Sequence, residues 1–68
     1  MASVTERVAA RVKKLRAKRG ISQETLAEKT GLNRLTITRL EAAAHPPNVE
    51  TLDKIARALQ VTVAALVK

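Results

Sequence analysis

The sequence predicts an all-α fold, a compact bundle of five short helices. Three observations carry that expectation. Apolar residues recur at intervals of three and four, helix caps and stops divide the chain into short pieces, and strand-like alternation is confined to Val61-Thr62-Val63. With 68 residues the chain has the size of one domain, residues 1–68. Short joints between helices then force the helices to pack on one another.

The first helix begins after Ser3. Ser3 and Glu6 have capping-box spacing, in which the serine oxygen accepts from the third helical amide and the glutamate reaches back. Val4, Val8, Val12 and Leu15 make one apolar stripe. Arg7, Arg11, Lys14 and Lys18 fall on the other side and read as a solvated basic face, with basic charge in the last turn where it suits the helix dipole. Gly20 can take the left-handed conformation that ends the helix. Ser22 caps a second helix, which turns Leu26 and Ala27 inward and stops at Gly31. Asn33 caps a third, with Ile37 and Leu40 on its inner side. Pro46 and Pro47 require this helix to run out somewhere within residues 42–44. A fourth helix starts at Asn48 and turns Leu52, Ile55, Ala56 and Leu59 to one side. A short fifth follows Thr62, with Val63, Leu66 and Val67 as its apolar residues.

Composition limits what such a bundle can do. Phe, Trp and Tyr are absent, so the core must be Leu, Ile, Val and Ala, which pack cleanly between helices. The same absence removes the stacking platforms that read unpaired RNA or DNA. Cysteine is also absent, which excludes disulfides and thiolate metal sites and fits a reducing cytoplasm. The net charge of +7 and the pI of about 11.0 point to a polyanionic partner. The longer stretches without charge, Ala42 to Val49 with its two prolines and Ala58 to Val67, are far too short to cross a membrane. The amino end lacks the apolar core of a signal peptide, so the expected location is the cytoplasm, on the nucleoid. No catalytic set is discernible. Ser3 and Ser22 serve as caps, and Asp53 falls on a surface face. His45, the single histidine, has no cysteine or carboxylate cluster with which to hold a metal. Gly20 and Gly31 match no phosphate-cradling loop. The expectation is therefore a protein that is not an enzyme, with no cofactor and no metal.

The informative segment is Ile21 to Glu41. Two short helices flank a tight turn, with small Ala27 where they must approach closely and Gly31 in the turn. Leu26, Leu32, Ile37 and Leu40 hold the pair against the remaining helices. This is the sequence form of a helix-turn-helix, about residues 22–42, whose second helix, about 33–43, is presented to the major groove of DNA. Arg34 and Arg39 lie five apart, roughly on one face, and a guanidinium can fork to O6 and N7 of guanine. Leu35 falls off the stripe of Ile37 and Leu40, which suits a thymine methyl, the edge of the core or a dimer contact. Thr36 and Thr38 are poor choices for a helix interior on propensity, and their hydroxyls gain a purpose at a phosphate or a base.

The run Leu15-Arg16-Ala17-Lys18-Arg19-Gly20-Ile21-Ser22-Gln23-Glu24-Thr25-Leu26-Ala27-Glu28-Lys29-Thr30-Gly31 resembles the phage repressor/Cro (XRE-like) helix-turn-helix family. The resemblance continues in register through Ile37, Arg39-Leu40-Glu41, Pro47, Glu50-Thr51-Leu52, Ile55-Ala56 and Ala58-Leu59, and so covers nearly the whole chain. It implies a sequence-specific transcriptional regulator that binds double-stranded DNA, as a homodimer on a palindromic operator. It further implies base contacts by Arg34, Leu35, Thr38 and Arg39, and backbone contacts by Ser22, Gln23, Asn33 and Thr36. Arg16 and Glu41 would form an internal ion pair tying the first helix to the third.

Three departures from the family pattern bear on these expectations. Where the family commonly has a glycine with basic neighbours, this chain reads Ala42-Ala43-Ala44-His45. Ala43 stands at the glycine position, so the loop either extends the helix or starts from a strained residue, and phosphate contacts are lost. Gln60 replaces another frequent glycine. The end of the chain after the fifth helix is similar to Cro-like proteins, restriction-modification controllers and some antitoxins. Val63, Leu66 and Val67, with Ala64 and Ala65 allowing close approach, are the expected dimer surface, unless they simply cap the core. The altered loop and Leu35 also support an alternative, a protein-interaction module (antitoxin or antirepressor) that uses the same fold to hold a protein partner.

Overall fold

The computed structural model describes residues 2–68. Its elements are α1 (Val4–Lys18), α2 (Gln23–Thr30), α3 (Arg34–Glu41), α4 (Val49–Ala58) and α5 (Val63–Val67), with no strand among the described residues.

Each helix starts where a short polar side chain can satisfy a free amide. Ser3, Ser22, Asn33, Asn48 and Thr62 accept from the amides of Glu6, Thr25, Leu35, Thr51 and Ala65. At α1 the capping box closes in both directions, Ser3 Oγ accepting at 3.1 Å and Glu6 Oε1 accepting from the Ser3 amide at 3.0 Å.

Three helices end alike. After α1, the Gly20 amide donates to the Ala17 carbonyl and the Ile21 amide to the Arg16 carbonyl, with Gly20 at φ +66°. After α3, the Ala43 and Ala44 amides donate to the Leu40 and Arg39 carbonyls at 3.1 and 3.0 Å, with Ala43 at φ +55°. After α4, Gln60 at φ +58° takes the same part. This paired arrangement is the Schellman motif, which needs a left-handed residue and usually finds it in glycine. Of the two possibilities open at Ala43, the strained start of the loop is the one adopted, and α3 ends at Glu41.

α1 packs on α3 and α5, α2 on α3 and α4, and α4 on α5. Val8, Val12, Leu26, Ile37, Ile55, Leu59 and Leu66 are fully buried where these helices meet, joined by Ala27, Leu40, Leu52 and Ala56. The inward positions of α2, α3 and α4 are those the periodicity marks.

Three of the sequence readings differ from the structure. Val4 is 51% exposed, and the buried stripe of α1 begins a turn later, at Val8 and Ala9. Val4 stands in the first turn of α1, one turn before the first residue of that helix to join the core cluster. Arg7 and Arg11 are half-buried and do not form a solvated face with Lys14 and Lys18. Arg7 instead closes the end of α5, its guanidinium donating to the carbonyls of Val67 at 3.4 Å and Ala2 at 3.1 Å. Leu66 is wholly inside the chain, so it cannot contribute to a dimer surface; of that segment Ala64 and Ala65 are exposed, while Val63 and Val67 pack half-buried against the core.

Candidate nucleic-acid interface

Burial of Ile37, Leu40 and Glu41 fixes the rotation of α3 and leaves Arg34, Leu35, Thr38 and Arg39 exposed on its outer side. These are the four residues expected to face base edges, and the fold brings them together. Leu35 is 51% exposed and belongs to neither the core nor its edge. The ion pairs among the described residues are Arg16–Glu41 and Arg57–Asp53, so the guanidinium groups of Arg34 and Arg39 are bound to no carboxylate. Two cationic forks with unused donors therefore stand on one short rod.

The residues expected to meet the backbone divide into two kinds. Ser22 and Asn33 are engaged as caps: Ser22 Oγ accepts from the Thr25 amide at 3.0 Å and donates to Thr25 Oγ1 at 3.1 Å, and Asn33 Oδ1 accepts from the Leu35 amide at 2.6 Å. The Asn33 amide nitrogen stays available at the start of α3. Thr36 is half-buried and lines an open groove with Arg39, His45, Pro47, Asn48 and Thr51, between α3 and the first turn of α4. The sequence pointed to no such groove. His45 and the prolines read there as loop punctuation, and nothing in their spacing says which wall they face.

Gln23 is more involved than a surface contact. Its Nε2 donates to Glu41 Oε1 at 3.1 Å, and its Oε1 accepts from the Thr38 hydroxyl at 3.0 Å. Glu41 is 5% exposed and its carboxylate is filled by donors: Arg16 Nε at 2.8 Å, Arg16 Nη2 at 3.0 Å and Gln23. Arg16 also donates from Nη1 to the Ile21 carbonyl at 3.0 Å. The hydrogen bond to Glu41, and with it the attraction of that charge, raises the Arg16 pKa above the ordinary arginine value against the opposing effect of burial. A buried carboxylate demands this much compensation, and here meeting the demand joins α1, the start of α2 and the end of α3. The angle between α2 and α3 is thereby set from beneath the exposed face.

A two-helix unit joined by a tight turn at Gly31, with the outer side of its second helix carrying free basic forks, defines the helix-turn-helix class. The helix-turn-helix family model HTH_3 matches residues 12–66, and the chain belongs to this family. It is 39% identical over 56 residues to an uncharacterised HTH-type transcriptional regulator of Archaeoglobus fulgidus, the match covering 82% of this chain and 80% of that one. It is 37% identical over 60 residues to the immunity repressor protein of Bacillus phage phi105, covering 88% of this chain but only 42% of the repressor's length. Among solved structures, the restriction-modification controller protein C.AhdI of Aeromonas hydrophila superimposes with a TM-score of 0.87 at 31% identity, over 91% of this chain and 94% of that one. A second controller protein, solved as a tetramer in complex with its natural 35-base-pair operator, superimposes with a TM-score of 0.86 at 27% identity, over 97% of this chain and 87% of that one.

Proposed function

We propose that this chain is a sequence-specific regulator of transcription that binds double-stranded DNA as a homodimer on a palindromic operator, with α3 in the major groove. The observation that carries the reading is the pair of exposed guanidinium groups, Arg34 and Arg39, on a helix held by the core and by the Arg16–Glu41 fork. The similarity to a controller protein solved on its operator supports it. In this reading Arg34 and Arg39 supply most of the discrimination by forking to guanine, Leu35 packs on a thymine methyl, and Thr38 contacts a base. Gln23, Asn33 and Thr36 hold the phosphates on either side, with Ser22 fixing the start of α2 between them. One domain reads only a few base pairs. Two copies related by a twofold axis place two recognition helices one turn, roughly 34 Å, apart and so require a palindrome. Exposed Ala64 and Ala65, flanked by Val63 and Val67, are the part of α5 left to approach a second copy.

The test compares Arg39→Ala with the native protein on a selected operator and on random duplex. A bidentate contact is worth about 1–3 kcal/mol, so operator affinity falls by roughly tenfold or more while random binding changes little. An equal fall on both would make Arg39 a phosphate contact only. The second reading, a module that holds a protein partner, draws on exposed Leu35 and on a loop after α3 without Lys or Arg. It predicts no duplex binding even at low salt.

A further inference from the structure

The Thr38 hydroxyl has one proton to give. Two acceptors face it inside the protein: Gln23 Oε1 at 3.0 Å and the Arg34 carbonyl at 3.1 Å. A threonine in any helix can reach the carbonyl four residues back. The glutamine is particular to this fold.

The Gln23 amide has only one workable orientation. Its far end lies 3.1 Å from Glu41 Oε1. That carboxylate, already forked by Arg16, has acceptors alone to offer. An amide oxygen turned toward it would repel, so Nε2 faces Glu41 and Oε1 faces Thr38. Orientation is thus handed outward from the buried pair: Arg16 fixes Glu41, Glu41 fixes Gln23, and Gln23 fixes the proton of Thr38.

We infer that Gln23, held by Glu41, is a positioning residue that makes Thr38 a reader of hydrogen-bond donors on the bases. With its proton engaged inside the protein, Thr38 offers the groove only oxygen lone pairs and a methyl group. Adenine N6 and cytosine N4 carry amino groups in the major groove, whereas guanine and thymine present oxygen acceptors there. Thr38 therefore selects adenine or cytosine at the base it faces and disfavours guanine or thymine. The second proton of Gln23 Nε2 remains free for a backbone phosphate, so one amide both anchors the domain and sets the polarity of its neighbour. The inference rests on α3 lying in the major groove.

The test selects binding sites from random duplexes with the native protein and with Thr38→Val, Thr38→Ser and Gln23→Ala, each checked for unchanged far-ultraviolet circular dichroism. Valine keeps the shape of threonine and removes the lone pairs; serine keeps the lone pairs and removes the methyl. One base pair, adenine or cytosine on the strand facing Thr38, should lose about threefold to tenfold of its preference in Thr38→Val and keep it in Thr38→Ser. Gln23→Ala leaves the proton to the Arg34 carbonyl alone, so the preference against guanine or thymine on the strand facing Thr38 at that same pair should weaken. A native site that Thr38→Val selects base for base, a guanine or thymine on the strand facing Thr38 at the affected pair, or an unchanged preference in Gln23→Ala overturns the inference and leaves DNA binding standing. Absence of any enriched site with the native protein removes both.

Discussion

Ala43 holds a left-handed conformation that glycine adopts without steric cost. An L-residue in the left-handed region is disfavoured by about 1–2 kcal/mol, and Ala43, at φ +55°, has only a methyl to show for it. Glycine relieves that strain but gives back roughly 0.5–1 kcal/mol of unfolded-chain entropy. Ala43→Gly should therefore stabilise the fold by up to about 1 kcal/mol, a rise in Tm of a few degrees for a domain of this size. Thermal unfolding followed by circular dichroism checks it, and an unchanged or lower Tm would mean the loop relaxes without help. The sequence allowed either a longer helix or a strained loop at this position. The choice turns on two backbone hydrogen bonds, from Ala43 and Ala44, that only the folded loop makes. The contacts of Gln23 were likewise hidden. Its partners Thr38 and Glu41 lie far along the chain, and no local pattern links an amide at the start of one helix to a hydroxyl on the next.

Among the elements, the helix starts were the most legible, because a cap and the amide it serves are two or three residues apart and both can be read from the same short window. Glu6 carries a consequence of that local geometry. Hydrogen bonds from the Ser3 backbone amide and then the Ser3 hydroxyl hold its carboxyl below the usual 4.5, with a slight opposing effect of burial. A carboxyl whose folded pKa is depressed adds stability above its unfolded pKa and loses it as pH falls through the folded value. Glutamine at this position keeps the capping contact but not the charge that the helix dipole favours. The stability gap between the native protein and Glu6→Gln should thus be open at pH 7 and narrow progressively as pH falls below the usual carboxylate range. A gap independent of pH would assign the effect to shape alone. Helix faces were less legible than helix starts. Periodicity placed Val4 with Val8 and Val12, and Arg7 with Lys14, because it gives direction around an axis and says nothing of where the neighbouring helix stops.

For the whole molecule, the count of helices and the composition of the core followed from spacing and punctuation, while the joining of Arg16 to Glu41 was legible only through the family resemblance. Charge acts at this scale too. With a net +7 and two unpaired arginines on α3, association with duplex should weaken steeply as salt rises, the log–log slope being about −0.9 for each phosphate neutralised. Fluorescence anisotropy across a salt series measures it, and a flat line would move the protein to the partner-binding reading. That experiment has an unusual advantage. A core made wholly of aliphatic side chains, with no Phe, Trp or Tyr anywhere in the sequence, neither absorbs near 280 nm nor emits. In a mixture with nucleic acid every photon belongs to the nucleic acid, so a fluorescent base placed in the duplex reports local unstacking and bending against a dark protein.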